Sequence, residues 1–550
     1  MHIIKISKVL LPSYRYLPER LKMLFLFIGV FPQDYYTPIS KIILMLKAEG
    51  LWGNWDCLRE LAIDYSLVLC SMKSVNKNIN KKYIGEFKTC RLHSSWQHVC
   101  RVEASKCKFY HVLNKLIDAK EEVLKGQRGL CLENNILFST KEFCNSVRLN
   151  CSFSTRSLLF YWPYHQYPIS IDVSFRLIRE IDALKLRFYT FPDEILSLVQ
   201  LKYLALTCNG EVPATISKLF NLRALIIHPS YVPIEIWDMQ ELQHIEILGK
   251  SLVAPPHVAS LKNLKTLVGV NASICTISEL LRRIPNIRKF GIQIELMPNE
   301  DHRHLLSCFG CISTLESLKI LKFSITNPVV NHGNVFLVTR GSLKLPQGLE
   351  KFHLSGMGFP WEYMDVVGSL PYLRVLKLRS YAFQGSHWET QQGRFGSLKF
   401  LLMEESDLVQ WKPGYGSFAR LSYLSMKHCY KLKEIGMPAF LDQRGCNPLA
   451  LTWADQLRPS VGSTLRVIAF SSFYNKPTTF KSESADDEEE NNDIEEIIDC
   501  PMKLFGQTSV EEDGECTYNH EDETEEDYTE EISDQMMSFE EDGRLMPKHQ

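Results

Sequence analysis

The stretch LKYLAL at residues 201–206 places leucine at its first, fourth and sixth positions. The same spacing of apolar residues recurs as far as residue 426, and successive copies start 20–25 residues apart with two gaps of 31. The copies are Leu201-Leu204-Leu206, Leu222-Leu225-Ile227, Leu242-Ile245-Ile247, Leu264-Leu267, Ile287-Phe290-Ile292, Leu318-Leu321-Phe323, Leu349-Phe352-Leu354, Leu373-Leu376-Leu378, Leu398-Leu401-Met403 and Leu421-Leu424-Met426.

A repeat of this length with this pattern is typical of a leucine-rich repeat, in which each unit supplies one short strand. A single unit cannot bury its apolar strand residues, so units stack and share one continuous core. The sequence therefore predicts an α/β leucine-rich-repeat solenoid, a horseshoe of about ten to eleven repeats over residues 176–435. A degenerate first repeat is expected near Leu177.

A second pattern follows three of the early strand segments. Phe191-Pro192-x-x-Ile195-x-x-Leu198 is repeated with conservative changes at residues 212–219 and 232–239. We expect each proline to end the turn after the strand, because it fixes the backbone and lacks an N–H group. The following apolar residues then return the chain along the outer face of the solenoid.

Charge is distributed very unevenly. Residues 481–550 hold 26 Asp+Glu and 4 Lys+Arg, a balance of -22, which leaves 38 acidic and 58 basic residues in 1–480, a balance of +20. The acidic stretch has too little apolar content to form a core, so we expect it to be disordered. A basic body with an acidic tail suggests an anionic partner or association of the tail with the body.

Other bulk features favour a reducing compartment. The 16 cysteines lack the dense, regular spacing of a secreted disulfide framework, so we expect thiols that are mostly buried. The apolar run Met23–Phe31 is shorter than the roughly 20 residues that span a bilayer, and it predicts a core helix. We expect a cytoplasmic protein without a membrane span.

Residues 13–50 predict two helices within a small helical domain. Pro18 suits the first position of one helix. For the other, Thr37 can cap, Pro38 stands at the first position and Gly50 ends the helix.

These residues carry a resemblance to a known family. The segments Leu17-Pro18-x-x-Leu21-Lys22, Phe25-Leu26-Phe27-x-Gly29-Val30-Phe31-Pro32 and Leu46-x-Ala48-Glu49-Gly50 resemble the winged-helix part of plant nucleotide-binding leucine-rich-repeat resistance proteins. The similarity is greatest to the coiled-coil class, notably the late blight resistance protein homologues of the nightshade group. It covers about residues 10–435.

The resemblance implies domains as well as a function in plant innate immunity. It suggests a winged-helix remnant at 1–110, a connector at 111–175, the repeats at 176–435, a divergent segment at 436–480 and the acidic tail at 481–550. In the family the repeats recognise a pathogen effector or guarded host protein, hold the nucleotide switch off, and on triggering cause a hypersensitive response. The alternatives are a generic repeat scaffold and a decoy or non-signalling fragment.

Departures from the family pattern bear on cofactors. The sequence contains no Gly-x-x-x-x-Gly-Lys-Ser/Thr phosphate loop, and the family's Met-His-Asp motif corresponds to Leu92-His93-Ser94, where Ser94 replaces the aspartate. We therefore expect no ADP or ATP binding, and we expect the chain to begin inside the switch region of such a receptor.

The residue after each first repeat leucine is basic in seven of the ten copies, which predicts a positive ladder on the concave, protein-binding face. Its members are Lys202, Arg223, Lys265, Arg288, Lys319, Arg374 and Lys399, with Lys289, Lys322, Lys351 and Lys377 adding charge nearby. One interpretation is a docking stripe for an acidic surface on an effector, on a related receptor's signalling domains or on the 481–550 tail. The other is a common repeat choice that is simply solvated.

Other chemistry finds little support. His302-x-His304-x-x-x-Cys308-x-x-Cys311 and the Cys90, His93, His98, Cys100 set contain zinc-type ligands, but buried cysteine without metal is common, so no metal is predicted. Hydrolase motifs are absent, so we expect no enzyme activity. The helix that begins near Ile39 carries too few polar side chains to read base edges, so no nucleic-acid partner is expected.

Overall fold

The computed structural model describes fourteen stretches of the chain. They are residues 2–33, 35–51, 55–71, 89–133, 141–161, 175–228, 231–251, 259–271, 274–294, 309–325, 343–421, 423–435, 441–444 and 467–470. The predicted disorder of the 481–550 tail lies outside the described residues.

The N-terminal part is a helical block that we define as residues 2–106. Its helices are α1 (His2–Tyr16), α2 (Glu19–Ile28), α3 (Ile39–Glu49), α4 (Trp55–Ile63) and α5 (Ser94–Lys106). Strands β1 (Thr37–Pro38), β2 (Val68–Ser71) and β3 (Thr89–Leu92) form a small antiparallel sheet in the order β1-β3-β2. Helices beside a small antiparallel sheet are compatible with a winged helix, and that assignment stays a prediction.

A single parallel sheet runs through the rest of the described chain and contains sixteen strands. These strands are β4 (Tyr110–Leu113), β5 (Gly129–Leu132), β6 (Ser157–Phe160), β7 (Glu180–Phe188), β8 (Tyr203–Cys208), β9 (Ala224–His228), β10 (His244–Ser251), β11 (Thr266–Asn271), β12 (Lys289–Ile294), β13 (Ile320–Ile325), β14 (Lys351–Ser355), β16 (Val375–Arg379), β19 (Phe400–Glu404), β21 (Tyr423–Lys427), β23 (Leu441–Arg444) and β24 (Val467–Phe470). They pair in sequence order, as expected of a solenoid.

The segments that connect the strands of the large sheet contain short helices and short strands. The α-helices are α6 (Glu121–Leu124), α7 (Lys141–Cys151), α8 (Ile274–Arg283) and α9 (Met364–Gly368), and the 3₁₀ helices are Leu116–Ala119, Asp193–Ser197, Ala214–Lys218, Ile234–Asp238 and Trp361–Tyr363. Five further short strands form two small parallel sheets, β15-β17 and β18-β20-β22. They are β15 (Phe359–Pro360), β17 (Phe383–Gln384), β18 (His387–Glu389), β20 (Gln410–Lys412) and β22 (Glu434–Ile435). In these later repeats Trp361, Trp388 and Trp411 stack at centroid distances of 5.0 and 4.6 Å.

The repeat pattern makes the core that was predicted. Leu201, Leu204 and Leu206 are fully buried, and Leu204 lies directly beside Leu225 of the next strand. Pro192, Pro213 and Pro233 each precede a 3₁₀ helix. The prediction of a leucine-rich-repeat solenoid is confirmed.

The predicted domain limits of the repeats were too narrow. Residues 111–175 were interpreted as an irregular connector, but β4, β5 and β6 belong to the same sheet. At the other end, β23 and β24 extend the sheet into the segment interpreted as divergent. The estimate of ten to eleven repeats missed these strands because they follow at irregular intervals and lack the full leucine pattern, whereas strand pairing needs only backbone groups and a few apolar residues.

The helix boundaries at the N-terminus differ slightly from prediction. Pro18 and Pro38 cap α2 and α3 from one position before the first helical residue, and Thr37 pairs with Cys90 in the sheet instead of capping. Gly50 ends α3 in the left-handed region at φ 77°, as its lack of a Cβ allows. Helix α1 continues through Pro12.

The apolar run in α2 is part of the core. Leu24, Phe25, Leu26, Phe27 and Ile28 are all at most 2% exposed. None of the helices in the described stretches is both long and apolar enough to cross a bilayer.

The ten cysteines whose side chains the structure describes are free thiols, and six of them are buried. Burial raises the pKa of the Cys151 thiol to about 12 and of the Cys208 thiol to about 11. These thiols are therefore protonated and unreactive at neutral pH.

The stacked core predicts a large cost for a cavity in one repeat. Leu225→Ala should lower the free energy of unfolding by about 2–5 kcal/mol, because Leu225 is fully buried among neighbouring strands. Phe220→Ala is the control, since Phe220 is 59% exposed and should cost well under ~1 kcal/mol. Urea unfolding followed by circular dichroism measures both, and equal midpoints would contradict a shared core at this position.

Candidate protein-interaction surface

The predicted basic residues lie in one row, which also contains Gln243 and Glu350. We call this row the basic ladder. Each stands one residue before a strand, and its backbone is bonded to the equivalent residue of the neighbouring repeat. Lys202, Arg223, Gln243, Lys265, Arg288, Lys319, Glu350, Arg374 and Lys399 are linked in this order by N–H···O bonds of 2.7–2.9 Å. The residues therefore stand side by side at the edge of the sheet where its strands begin, instead of in the middle of its inner face.

The structure extends the ladder by three arginines that the sequence analysis missed. The N–H of Lys202 donates to Arg179, that of Arg179 to Arg156, and that of Arg156 to Arg128, at 2.7, 2.6 and 2.6 Å. The signal was an Arg-x-Leu or Arg-x-Ile triplet at Arg128, Arg156 and Arg179, in the same phase as Lys202-Tyr203-Leu204. Arg128 and Arg156 were missed because residues 111–175 were interpreted as a connector, and Arg179 because the first repeat is degenerate.

The upstream part of the ladder is crowded with like charge. Burial lowers the pKa of Arg156, and the neighbouring Arg128 and Arg179 lower it further. Burial likewise lowers the pKa of Lys202, with Arg179 and Arg223 adding to the effect. Further along the ladder the charge is partly compensated, because Glu350 lies 3.3 Å from the Lys319 amine and 3.7 Å from Arg374.

The inner face of the first repeats is covered by the helical block. Apolar residues of α2 and α3 share one cluster with Leu159, Tyr203, Ala205 and Ile226, which lie on the side of the strands opposite to the leucine core. Aromatic rings close the contact, with Phe31 and Tyr161 at a centroid distance of 5.2 Å and Phe27 and Tyr110 at 5.4 Å. This face of β4–β9 is therefore occupied by the protein's own N-terminal part.

A buried ion pair fixes α3 to β7. The Lys41 amine lies 2.6 Å from the Asp182 carboxylate, and the two side chains are 4% and 1% exposed. The Tyr161 hydroxyl donates to the same carboxylate, and the amine lies 5.1 Å from the Tyr161 ring centroid. Burial alone would lower the pKa of Lys41, but Asp182 and Tyr35 outweigh it and raise that pKa above its ordinary value.

A second set of polar contacts joins the end of α3 to β6. The Ser157 hydroxyl donates to the Glu49 carboxylate inside the interface. The Tyr110 hydroxyl donates to Glu180 at 3.2 Å, reaching past Gly129, where a Cβ would lie 2.2 Å from the Tyr110 ring. Burial raises the pKa of Glu180 well above its ordinary value, and Glu49 raises it further.

Arg101 of α5 connects the block to β5 from another side. Its guanidinium makes a two-pronged contact with the Glu133 carboxylate, one N–H···O distance being 3.0 Å. The same group donates to the carbonyl oxygens of Gly29 and Phe31 at 3.1 and 3.0 Å. Because the guanidinium is planar and donates two bonds to one carboxylate, it fixes both the orientation and the position of its partner.

The four additional lysines lie in the strands themselves. One row of paired positions on neighbouring strands contains Lys322, His353 and Lys377. A second row contains Lys289, Ile320 and Lys351. Lys289, Lys351 and Lys377 are at most 5% exposed, so they differ from the ladder residues in environment.

The remaining candidate residues do not come together. His93 caps α5 by accepting the Ser95 N–H at its Nδ1, 3.3 Å away, and its side chain is exposed. Cys90 and Cys100 are buried while His98 is exposed, so the second zinc-type set is split. Cys311 lies 3.3 Å from the Ser278 hydroxyl, whereas His302, His304 and Cys308 lie outside the described residues. No group of three metal-ligating side chains occurs within the described stretches.

Stacked parallel strands, a leucine core and proline-led outer turns define a leucine-rich-repeat protein. The model of a family described as "Leucine-rich repeat region" matches residues 156–445, more than half of the chain, and the protein belongs to that family.

Curated relatives from Solanum demissum are similar over a longer range. Late blight resistance protein R1-A is 29% identical over 464 residues, and a late blight resistance protein homolog is 27% identical over 458 residues. Each alignment covers 77% of this chain and 34% of the relative, so the chain spans about a third of the length of these proteins.

Solved structures with similar folds are more distant. An LRR protein from Leptospira interrogans is 14% identical at a TM-score of 0.37, covering 65% of this chain and 99% of that one. A TDR receptor is 14% identical at a TM-score of 0.33, covering 63% and 64%.

The buried ion pair gives a prediction about how the block is held. Lys41→Met should lower the free energy of unfolding by about 3–5 kcal/mol, because it leaves the Asp182 carboxylate buried without its cation. Adding Asp182→Asn should recover part of this loss. The control is Lys22→Met, which removes a surface pair with Glu19 and should cost below about 1 kcal/mol. Urea unfolding measures all three variants, and equal midpoints for Lys41→Met and Lys22→Met would show that the pair does not stabilise the interface.

Proposed function

We propose that this chain acts in plant disease resistance as a recognition module, in which the repeats bind another protein and the helical block regulates that contact. The curated relatives are named for late blight resistance, and the leucine-rich-repeat family supports protein binding. The observation that carries the proposal is the buried contact of Lys41 with Asp182, which joins the block to the inner face of the repeats.

The interface suits regulation because it combines a shared apolar cluster with buried polar contacts. Buried charges such as Lys41 and Asp182 are tolerated only while both partners stay together, so separation of the two parts would be resisted strongly. Arg223 of the basic ladder, by contrast, is 48% exposed, and a surface charge of this kind can exchange water and ions for an acidic partner at little cost. A partner that binds the repeats could therefore displace the block only if its binding free energy exceeds the cost of losing these buried contacts.

The proposed partner is a pathogen effector, a guarded host protein or the signalling domains of a related receptor. The proposed outcome in the plant is the hypersensitive response, and the proposed compartment is the cytoplasm. We further propose that the chain is not an enzyme and binds no ADP or ATP of its own, since His93 serves here as a helix cap. Nucleotide released on denaturing the purified protein would contradict the latter.

Binding through the ladder predicts the outcome of a charge-reversal experiment. The full chain is expressed in leaves together with the part of late blight resistance protein R1-A that its alignment does not cover, and co-precipitation is measured. Replacing Lys202, Arg223, Arg288, Lys319 and Arg374 with Glu should reduce recovery about tenfold or more, because five favourable charge contacts become repulsive.

A matched variant distinguishes the ladder from bulk charge. Lys218, Lys262, Arg282, Lys412 and Lys431 are exposed and lie outside the ladder, and replacing them with Glu makes the same change in net charge. This control should leave recovery within about twofold of the unmodified chain. Equal losses in both variants, or none in either, would contradict recognition through the ladder.

A further inference from the structure

The upstream end of the ladder concentrates positive charge, and its neighbouring cations lower each other's pKa. We call Arg128, Arg156, Arg179, Lys202 and Arg223 the upstream column. Within the described stretches no carboxylate lies within 4.0 Å of the first four, and Arg223 has only Glu241 at 3.9 Å, with both side chains 48% exposed. Five cations are therefore held together without an equal number of counter-charges.

The column is rigid because its backbone is part of the sheet. Successive members are joined by N–H···O bonds of 2.6, 2.6, 2.7 and 2.8 Å. Since neighbouring strands lie about 4.8 Å apart, four steps give a column about 19 Å long. Glu49 lies close enough to act on Arg156 and Lys202, but it is buried and accepts the Ser157 hydroxyl. The column thus presents a row of partly exposed cations on an evenly spaced backbone, suited to a polyanionic segment.

We propose that the acidic segment 481–550 of this same chain binds the upstream column and covers it. This inference goes beyond the proposed function and does not depend on it. The segment carries 26 acidic and 4 basic residues, so its charge of -22 is close in magnitude to the +20 of residues 1–480 and opposite in sign. Its two densest runs are DDEEE at 486–490 and EDETEED at 521–527.

The dimensions of segment and column agree. Five residues in extended form span about 17 Å, close to the ~19 Å of the column. Fifty residues lie between Phe470, the last described residue, and Glu521. At no more than about 3.5 Å per residue, a linker of that length can span up to about 175 Å. The ten strand steps from β24 to β9 span about 48 Å along the sheet.

Tethering makes a weak contact sufficient. A segment attached to the same molecule is present at an effective concentration of about a millimolar, so even modest charge pairing keeps the column occupied. An acidic partner must then displace the segment, which sets a threshold for binding and discriminates against weak anionic ligands.

Zero-length cross-linking of the purified full chain tests the proposal. Carbodiimide joins a carboxylate to an amine in direct contact, and Lys202 supplies the amine of the upstream column. Mass spectrometry should find Lys202 joined to carboxylates of residues 481–550. Raising the salt from about 0.1 M to about 1 M shortens the screening length from about 10 Å to about 3 Å and should lower the yield about tenfold.

Matched variants tie the result to the column. Arg128→Gln with Arg156→Gln and Arg179→Gln removes three charges but keeps Lys202, and should lower the Lys202 cross-link at least about fivefold. Lys218→Gln with Lys262→Gln and Arg282→Gln removes three exposed charges elsewhere and should leave it unchanged. Thermal unfolding confirms that both variants fold, and if the first does not, the salt series on the unmodified chain decides.

Three results would overturn the proposal. The first is equal linking of tail carboxylates to Lys202 and to the distant Lys218, Lys262 and Lys431, which would indicate non-specific contact. Lys202 could link only to carboxylates outside 481–550. In a mixture of isotope-labelled and unlabelled chains, links mainly between chains would assign the column to a second copy instead.

Discussion

The structure depends on one constraint, which is that no repeat can bury its own strand. Each strand presents leucine-type residues on one side, and these are removed from water only when the next strand lies beside it. Parallel pairing then places equivalent residues in rows, so Leu204 meets Leu225 and Lys202 meets Arg223. The rows of the core and the basic ladder have the same origin: the register that buries one set also aligns the other.

A repeat sheet also has an inner face, and in this protein the helical block covers part of it. Over β4–β9 the helical block covers that face with aromatic rings and aliphatic side chains. Apolar contact alone gives little orientation, whereas Lys41 with Asp182 and Arg101 with Glu133 specify one arrangement. Buried ion pairs are costly unless the geometry is satisfied, so they add specificity to an interface that the apolar contacts stabilise.

The ladder is placed where that covering ends. Its residues stand before the strands, at the edge of the sheet, and they keep contact with solvent while the inner face is closed. This position separates two tasks. The inner face of the first repeats binds the protein's own N-terminal part, and the charged edge stays available to acidic segments, including that of the same chain.

The sequence by itself determined the repeat class, the outer proline turns and the basic ladder from Lys202 to Lys399, because each follows from local spacing. It also located α2 and α3 to within one residue at their prolines. It could not show that β4, β5 and β6 are repeats, because their pattern is incomplete and their order is set by pairing with a neighbour. The contact between Lys41 and Asp182 joins residues far apart in the chain, and nothing local marks either as a partner. Only the tertiary structure decided which face the block covers, since that choice rests on complementary shape and charge between surfaces that form after the repeats have stacked.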